Sequence, residues 1–396
     1  MSSTFGSSAS YKVIEQLENQ GYEAVFVGGA VRDYILGKPA KDIDIATSAE
    51  PSEVKAVFSN TIDVGIQHGT VLVIVDKEPI EVTTFRTEGT YSDSRRPDAV
   101  NFVKSLKEDL LRRDFTMNAL AMTRTEELID LFGGRADMEK RVIRAVGRPT
   151  ERFQEDALRM LRAVRFSSTL DFTIEDATLI AIQENAERAR HVSVERIKIE
   201  MDKLFTGDNP VQAFHYLDVS GLGEYLPLFP SETTGLKQSI PFATSLEGWA
   251  FLLIAGKFSA TALSRSYKLS NDEQRFISAV YEAYNSRLGR LFSVDDFYRF
   301  DIAVLKASEK FYRSIFPQSP TYTDEELVMR KNALPIQSMQ DLAVSGKDLI
   351  EWAGVRAGRW TGEWIGKIEH AVLHELCENN PIKIREWFMD DFKSEE

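Results

Sequence analysis

Two aspartates one residue apart, Asp42 and Asp44, stand in the run Lys41-Asp42-Ile43-Asp44-Ile45, one helix length after Val27-Gly28-Gly29-Ala30-Val31-Arg32-Asp33. Alternation of polar with apolar residues is the period of a half-buried strand, so both carboxylates are expected on one face. Like charges placed side by side repel unless a cation lies between them, and hard oxygen ligands suit Mg2+ shared with the oxygens of a bound phosphate. Upstream, the apolar stretch Glu23-Ala24-Val25-Phe26-Val27 predicts a buried strand, and the glycine pair predicts a turn into a helix beginning near Ala30. Gly28 and Gly29 let backbone come close to a phosphate, the amides of the first helical turn point at it, and Arg32 adds charge. A lone Gly-Gly is usually a turn, and a lone Asp-x-Asp is usually a solvated strand face. In the order strand, Gly-Gly, basic helix, turn, Asp-x-Asp strand, they point to metal-assisted nucleotidyl or phosphoryl transfer.

Further polar groups follow. Glu81 stands on the expected strand Ile80–Phe85, where it is either a third acid beside the pair or a solvated edge residue. Arg86 to Asp98 is polar and broken by Gly and Pro, which predicts a mobile loop, long for an ordinary hairpin connection. Arg112-Arg113-Asp114 precedes Asn118. Asp114 and Asn118 are four apart, so on a helix they share a face, free to bond ribose hydroxyls while Arg113 meets a phosphate, with capping by Asp114 as the plainer role. Asp156, Arg159, Arg162 and Arg165 recur every third residue in a stretch, Glu155–Phe166, without a helix breaker. Neighbours in that series touch, and the series winds gradually around the helix.

This succession resembles the polymerase-β-type nucleotidyltransferases and, in its full wording, the class II CCA-adding enzymes (tRNA nucleotidyltransferases) of bacterial type. The resemblance spans essentially the whole chain, strongly to about Glu200 and diffusely beyond. It implies that Asp42 and Asp44 are catalytic and hold two Mg2+ ions, that Gly29 and Arg32 bind the triphosphate, with Gly28 beside them, and that Arg113 binds sugar and phosphates. It makes Glu155-Asp156-x-x-Arg159 an amino-acid template: an ionised Asp is all acceptor and an Arg all donor, which complements the cytosine edge and, with a small shift, adenine. Arg162 and Arg165 would serve the base and tail of the nucleotide. The plainer role for these residues is a salt-bridged surface helix. Asp114, Asn118, Glu81 and Arg86 complete the candidate set, Arg86 opening a loop similar to the one the family needs for its final A.

The resemblance also makes Asp130–Asp137 a structural hinge and His191–Glu200 a neck motif whose jobs are packing and capping. The segment from Ser345 through Gly354, Gly358 and Gly362 resembles the tail that holds the outer corner of tRNA. The partners implied are tRNA, CTP and ATP.

The elements that position these groups divide the 396 residues in two ways. Strand signals concentrate early, at 24–27, 43–46, 70–75, 80–85, 101–103 and 120–122, and helical signals dominate from about Arg141. The expected fold class is α+β: an N-terminal mixed-sheet nucleotidyltransferase head (1–140), then an all-helical neck (141–205), body (206–300) and tail (301–396). The formal net charge of −13 argues against a nucleic-acid partner, but residues 104–165 carry 14 Lys and Arg against 11 Asp and Glu, a local basic strip that RNA would follow. No apolar run reaches the length of a membrane-spanning helix, and the Ser-rich start lacks a leader pattern, so a cytoplasmic location is expected. The single cysteine, Cys377, excludes an intrachain disulfide and is expected to pack on a helix. None of the five histidines is followed by Asp, so no His-Asp phosphohydrolase motif is present. Three rivals stand beside the full CCA activity: an enzyme adding only A or only the two C residues, a poly(A) polymerase, and a non-catalytic RNA-binding protein. Gly65-Ile66-Gln67-His68-Gly69 replaces the Gly-Arg-Arg-Phe stretch of poly(A) polymerases, and the loop after Arg86 argues against CC-only addition.

Overall fold

A computed structural model describes residues 5–40, 42–65, 68–88, 100–231, 237 and 239–392. The chain forms two compact units. The first comprises Met1–Ser231, Pro241–Ser245 and Ser266–Lys268, the second Glu232–Ile240, Leu246–Arg265 and Leu269–Glu396.

The first unit is built on strands β1 (Ala24–Val27), β2 (Asp44–Thr47), β3 (Thr61–Gly65), β4 (Thr70–Val75), β5 (Glu78–Thr84), β6 (Arg86–Glu88), β7 (Val100–Phe102), β8 (Leu120–Met122), β9 (Leu128–Asp130), β10 (Val142–Ile143) and β11 (Thr173–Ile174). Its helices are α1 (Ser8–Asn19), α2 (Gly29–Ile35), α3 (Pro51–Val57), α4 (Leu106–Leu111), α5 (Gly134–Glu139), α6 (Pro149–Glu155), α7 (Leu158–Leu170), α8 (Asp176–Asn185), α9 (Val194–Phe205) and α10 (Pro210–Val219). Seven strands form one mixed sheet in the order β3-β4-β5-β2-β1-β8-β9. β1 lies inside the sheet between β2 and β8 and is buried at all four residues, as its apolar composition requires. Its side chains alternate between two layers: Phe26 meets Phe5 and Tyr11 at ring centroid distances of 4.9 and 5.2 Å, while Val25 and Val27 join a core with Ala46, Phe85, Leu106 and Leu110.

The expected strands are present, with corrections at their ends. β2 begins at Asp44, and Asp42 lies in a bend before it. The antiparallel register pairs Val27 with Asp44, so the partner Asp42 would need is Gly29, where β1 has already turned into α2. Edge strand β3 is not among the expected strands, although its Thr61-Ile62-Asp63-Val64 alternates; its apolar Ile62 and Val64 are exposed. In the helical region the two-residue strands β10 and β11 pair in parallel, too short to leave a pattern.

The stretch Glu155–Phe166 is not one helix. α6 ends at Asp156, whose backbone is extended (φ −140°, ψ 105°), and α7 starts at Leu158. The Asp156 carboxylate accepts the Leu158 amide at 3.0 Å, the local bond by which Asp competes with helix continuation. Likewise, Asp114 lies ahead of a single 3-10 turn, Thr116–Asn118, instead of on a helix.

Among the described residues the second unit has helices and no strands. Arg287 and Glu309 are buried within it as an ion pair at 2.7 Å. Trp364 is buried in the core of its C-terminal helices, with Trp352 and Trp360 packed against that core. Cys377 joins the same core as a free thiol from the turn that follows a helix, not from the helix itself.

Candidate active site

Gly28 holds a backbone of φ 77° and ψ −139°, open only to glycine, and turns β1 into α2. A Cβ at Gly28 would lie 3.0 Å from Arg113 Nη1, and one at Gly29 would lie 3.5 Å from Arg32 Nη2, so the glycines let two guanidinium groups approach the backbone. α2 has only seven residues, and these cations supply charge that so short a dipole lacks. Arg32 donates to Asn118 Oδ1 at 2.6 Å and to Asp33 Oδ1 at 2.9 Å. Arg113 reaches Asp109 Oδ2 at 3.3 Å, and its Nε is buried with no hydrogen-bond partner, a donor left over for an anion. Burial pulls the Arg113 guanidinium below its ordinary value against the pull of Asp109.

The acids gather on the neighbouring strands. Parallel pairing of β2 with β5 sets Asp44 directly beside Glu81. Burial pushes the Asp44 carboxyl up to about 6, and the charges of Glu81 and Asp42 add to the rise while Arg113 opposes it. A carboxylate disfavoured by its own neighbours is a place a cation relieves, so the acids fit a hard divalent metal. Among the described residues, Asp42, Asp44 and Glu81 do not bring three ligand atoms within 4.8 Å of one another. The exposed Glu81 therefore acts on Asp44 through its charge.

A chain of hydrogen bonds carries this head onto α7. Asn118 Nδ2 donates to Asp114 Oδ1 at 3.0 Å, and Arg162 Nε donates to Asp114 Oδ2 at 2.8 Å. Glu200 of α9 lies 3.6 Å from Arg162 Nη1 and accepts from Arg165 Nε at 2.8 Å. Burial would raise the Asp114 carboxyl, but the Arg162 charge and the bonds from Asn118 and Arg162 hold it well below the usual carboxylate range. Arg32, Arg162 and Arg165 all lie over the Phe166 ring, at 5.1, 5.5 and 3.4 Å.

At the α6–α7 break, Arg196 of α9 grips Asp156 with two bonds of 2.6 and 3.2 Å. Asp156 Oδ2 accepts one of these and has capacity for a second donor. Arg159 donates to Glu155 Oε2 at 2.7 Å and to the Arg112 carbonyl at 2.8 Å.

These groups line one cavity of about 360 Å³: Gly28, Gly29 and Asp44 on one side, Arg32, Arg112, Arg113, Asp114 and Asn118 beside them, and Asp156, Leu158, Arg159, Arg162, Phe166 and Arg196 from the neck. Arg165, Asp42, Glu81 and Arg86 do not line it. Arg165 is buried behind the wall on Glu200. The Arg86 amide donates to Asp109 Oδ1 at 3.3 Å and its guanidinium to the His68 carbonyl, at the foot of a loop whose residues 89–98 lie outside the described residues, as do Ile66 and Gln67.

Sequence reasoning passed over Asp109, Arg196 and Glu200. Asp109 carries both Arg112 and Arg113 from one buried carboxylate, a role visible only as i+3 and i+4 spacing on α4. The 191–200 motif contributes three ion pairs, Arg196 to Asp156 and Glu200 to both Arg162 and Arg165, and Ser193 at the N-cap of α9 makes no side-chain capping bond. In the stretch expected as a hinge, the Asp130 carboxylate accepts the amides of Gly134 and Arg135, both at 2.9 Å, and a Cβ at Gly134 would lie 2.2 Å from the Thr116 carbonyl oxygen.

A CCA-adding enzyme of Bacillus cytotoxicus is 43% identical over 381 residues, covering 95% of this chain and 96% of that protein, and one of Bacillus cereus is 43% identical over 384 residues, covering 96% and 97%. The chain belongs to the CCA-adding enzymes. It is therefore a tRNA nucleotidyltransferase. The crystal structure of the Bacillus stearothermophilus CCA-adding enzyme in complex with CTP superposes with a TM-score of 0.86 at 40% identity, covering 98% of both chains. Family models place a poly A polymerase head domain at 24–144, a probable RNA- and SrmB-binding site of polymerase A at 171–231 and a tRNA nucleotidyltransferase domain 2 at 240–388. At 21% identity and a TM-score of 0.69, the Thermotoga maritima CCA-adding enzyme complexed with tRNA shares the fold. No helix among the described residues is long and apolar enough to cross a membrane.

Proposed function

We propose that this chain adds C, C and A in turn to the 3′ end of tRNA from CTP and ATP, releasing pyrophosphate, with its own side chains selecting the base in one cavity. The observation that carries the proposal is the meeting of Asp44, the Gly28-Gly29 turn and the Asp156–Arg159 pair in a single lining. Asp42 and Asp44 would hold two Mg2+ ions, and the chemistry those ions would supply is charge neutralisation at the α-phosphate and activation of the tRNA 3′-hydroxyl for in-line attack. Arg113, with its unsatisfied Nε, and Arg32 beside Gly28 and Gly29 hold the triphosphate. Asp114 and Asn118, locked between Arg32 and Arg162, fix the ribose. Asp156 Oδ2 accepts the exocyclic amine of cytosine or adenine, and Arg159 donates to the ring nitrogen. Guanine and uracil present the reverse pattern and leave one or both groups unpaired. Glu200 and Arg165 position Arg162 from behind. The head, neck, body and tail divisions at 140, 205 and 300 belong to the same proposal, with the tail on the outer corner of tRNA and the reaction in the cytoplasm.

The test is an Asp42→Ala/Asp44→Ala double variant assayed for labelled CTP incorporation into trimmed tRNA. Incorporation should vanish while circular dichroism stays unchanged. Full incorporation by the folded variant would overturn the catalytic assignment.

A further inference from the structure

The second unit holds a cluster of metal-ligating side chains apart from the cavity described above. His370 and His374 stand one turn apart at the C-terminal end of the helix Arg359–Leu373, and Asp295 lies in the first turn of the helix Val294–Arg299. The two imidazole rings are 4.2 Å apart between centroids and tilted by 32°. His374 Nε2 is 3.0 Å from Asp295 Oδ1. One ligand atom from each of the three residues lies within 4.8 Å of the others.

The frame beneath is rigid. Ala371, Val372 and Leu373, between the two histidines, are buried in the core with Trp364 and Ile368, which fixes the helix face. Tyr298 Oη donates to Glu369, clamping the same two helices one turn away. Solvent reaches the cluster directly: Asp295 and His370 are exposed, and the His374 side chain is 29% exposed. A hydrogen-bonded Asp–His pair accounts for Asp295 and His374 but gives no reason for a second imidazole stacked on the first. A shared cation does.

We propose that Asp295, His370 and His374 bind a transition-metal dication of the Zn2+ class that clips the two helices together. Two imidazoles and one carboxylate suit Zn2+, Co2+ or Ni2+ and disfavour Mg2+, and histidines at i and i+4 are a known way for one helix face to supply two ligands. The three residues between the histidines are buried and apolar, so this turn carries no general base, and the role is structural. The Arg290 guanidinium is paired with Asp296 at 2.5 Å and feels the Asp295 charge only as a neighbour.

Titrating the full chain with Zn2+ by calorimetry, in a large excess of Mg2+ to mask the acids of the head, tests the site. The wild type should take up one equivalent and melt at a higher temperature with Zn2+ than without. In the folded His370→Gln/His374→Gln and Asp295→Asn variants binding should weaken about tenfold or more, and the thermal gain should disappear. No uptake by the wild type, uptake unchanged in these variants, or uptake lost instead in Asp44→Asn would each overturn the proposal.

Discussion

Asp44 is a carboxylate whose surroundings oppose its charge, raised to about 6 by burial beside Glu81 and Asp42. Replacing it with Asn removes the repulsion, so in metal-free buffer Asp44→Asn should be at least as resistant to denaturant as the wild type, and incorporation of CMP should fall about a hundredfold or more. A strongly destabilised variant would show that Asp44 is instead a partner in a structural ion pair. Asp156 carries the selectivity in the proposed function. Held by Arg196 at 2.6 Å with one acceptor position to spare, it would contribute discrimination of the order of a paired hydrogen bond to a base edge. Asp156→Ala should lower the preference for CTP over UTP by roughly ten- to a hundredfold in competition assays. Preference unchanged in the folded variant would remove Asp156 from the template.

At the scale of elements, the link from the sheet to α7 runs through Asp114, which joins the Thr116–Asn118 turn to α7 by its bond to Arg162. Its carboxyl is depressed in the folded protein, so the stability it contributes is fully present above the unfolded carboxylate range near pH ~4 and is lost as pH falls below it. Asp114→Asn should therefore be less stable at neutral pH by about 3 kcal/mol, since Arg162 keeps partial solvent contact, and its melting temperature should fall less steeply with acid than that of the wild type. Parallel acid limbs would contradict this. The same elements show what was legible in the sequence. The Gly28-Gly29 turn, β1, β2 and the spacing of the arginines followed from local chemistry, because φ > 0 and alternation are written in consecutive residues. The break at Asp156 was not, since its cause is a side-chain bond to Leu158 and a grip from Arg196 forty residues away. The roles of Asp109 and Glu200 rest on partners brought in by packing, and the short edge strand β3 was passed over although its residues alternate.

At the scale of the whole molecule, a net charge of −13 coexists with a basic strip between 104 and 165, part of which lines the cavity. Binding of tRNA along that strip should weaken by roughly tenfold or more between 50 and 200 mM salt in filter binding, with CTP binding changing less. Equal salt slopes would place tRNA elsewhere. The second unit depends on its own buried pair: Glu309→Gln leaves Arg287 uncompensated and should destabilise that unit by about 3–5 kcal/mol in denaturant titration, with CTP binding by the head intact. The account's central claim is that one cavity on one chain makes all three additions. The most direct measurement offers the purified protein a tRNA lacking its last three nucleotides, with labelled CTP and ATP supplied singly and together. The account predicts two C additions from CTP alone and a terminal A only when both are present. Failure to extend that tRNA with CTP, or arrest after the two C residues when ATP is also supplied, would contradict it.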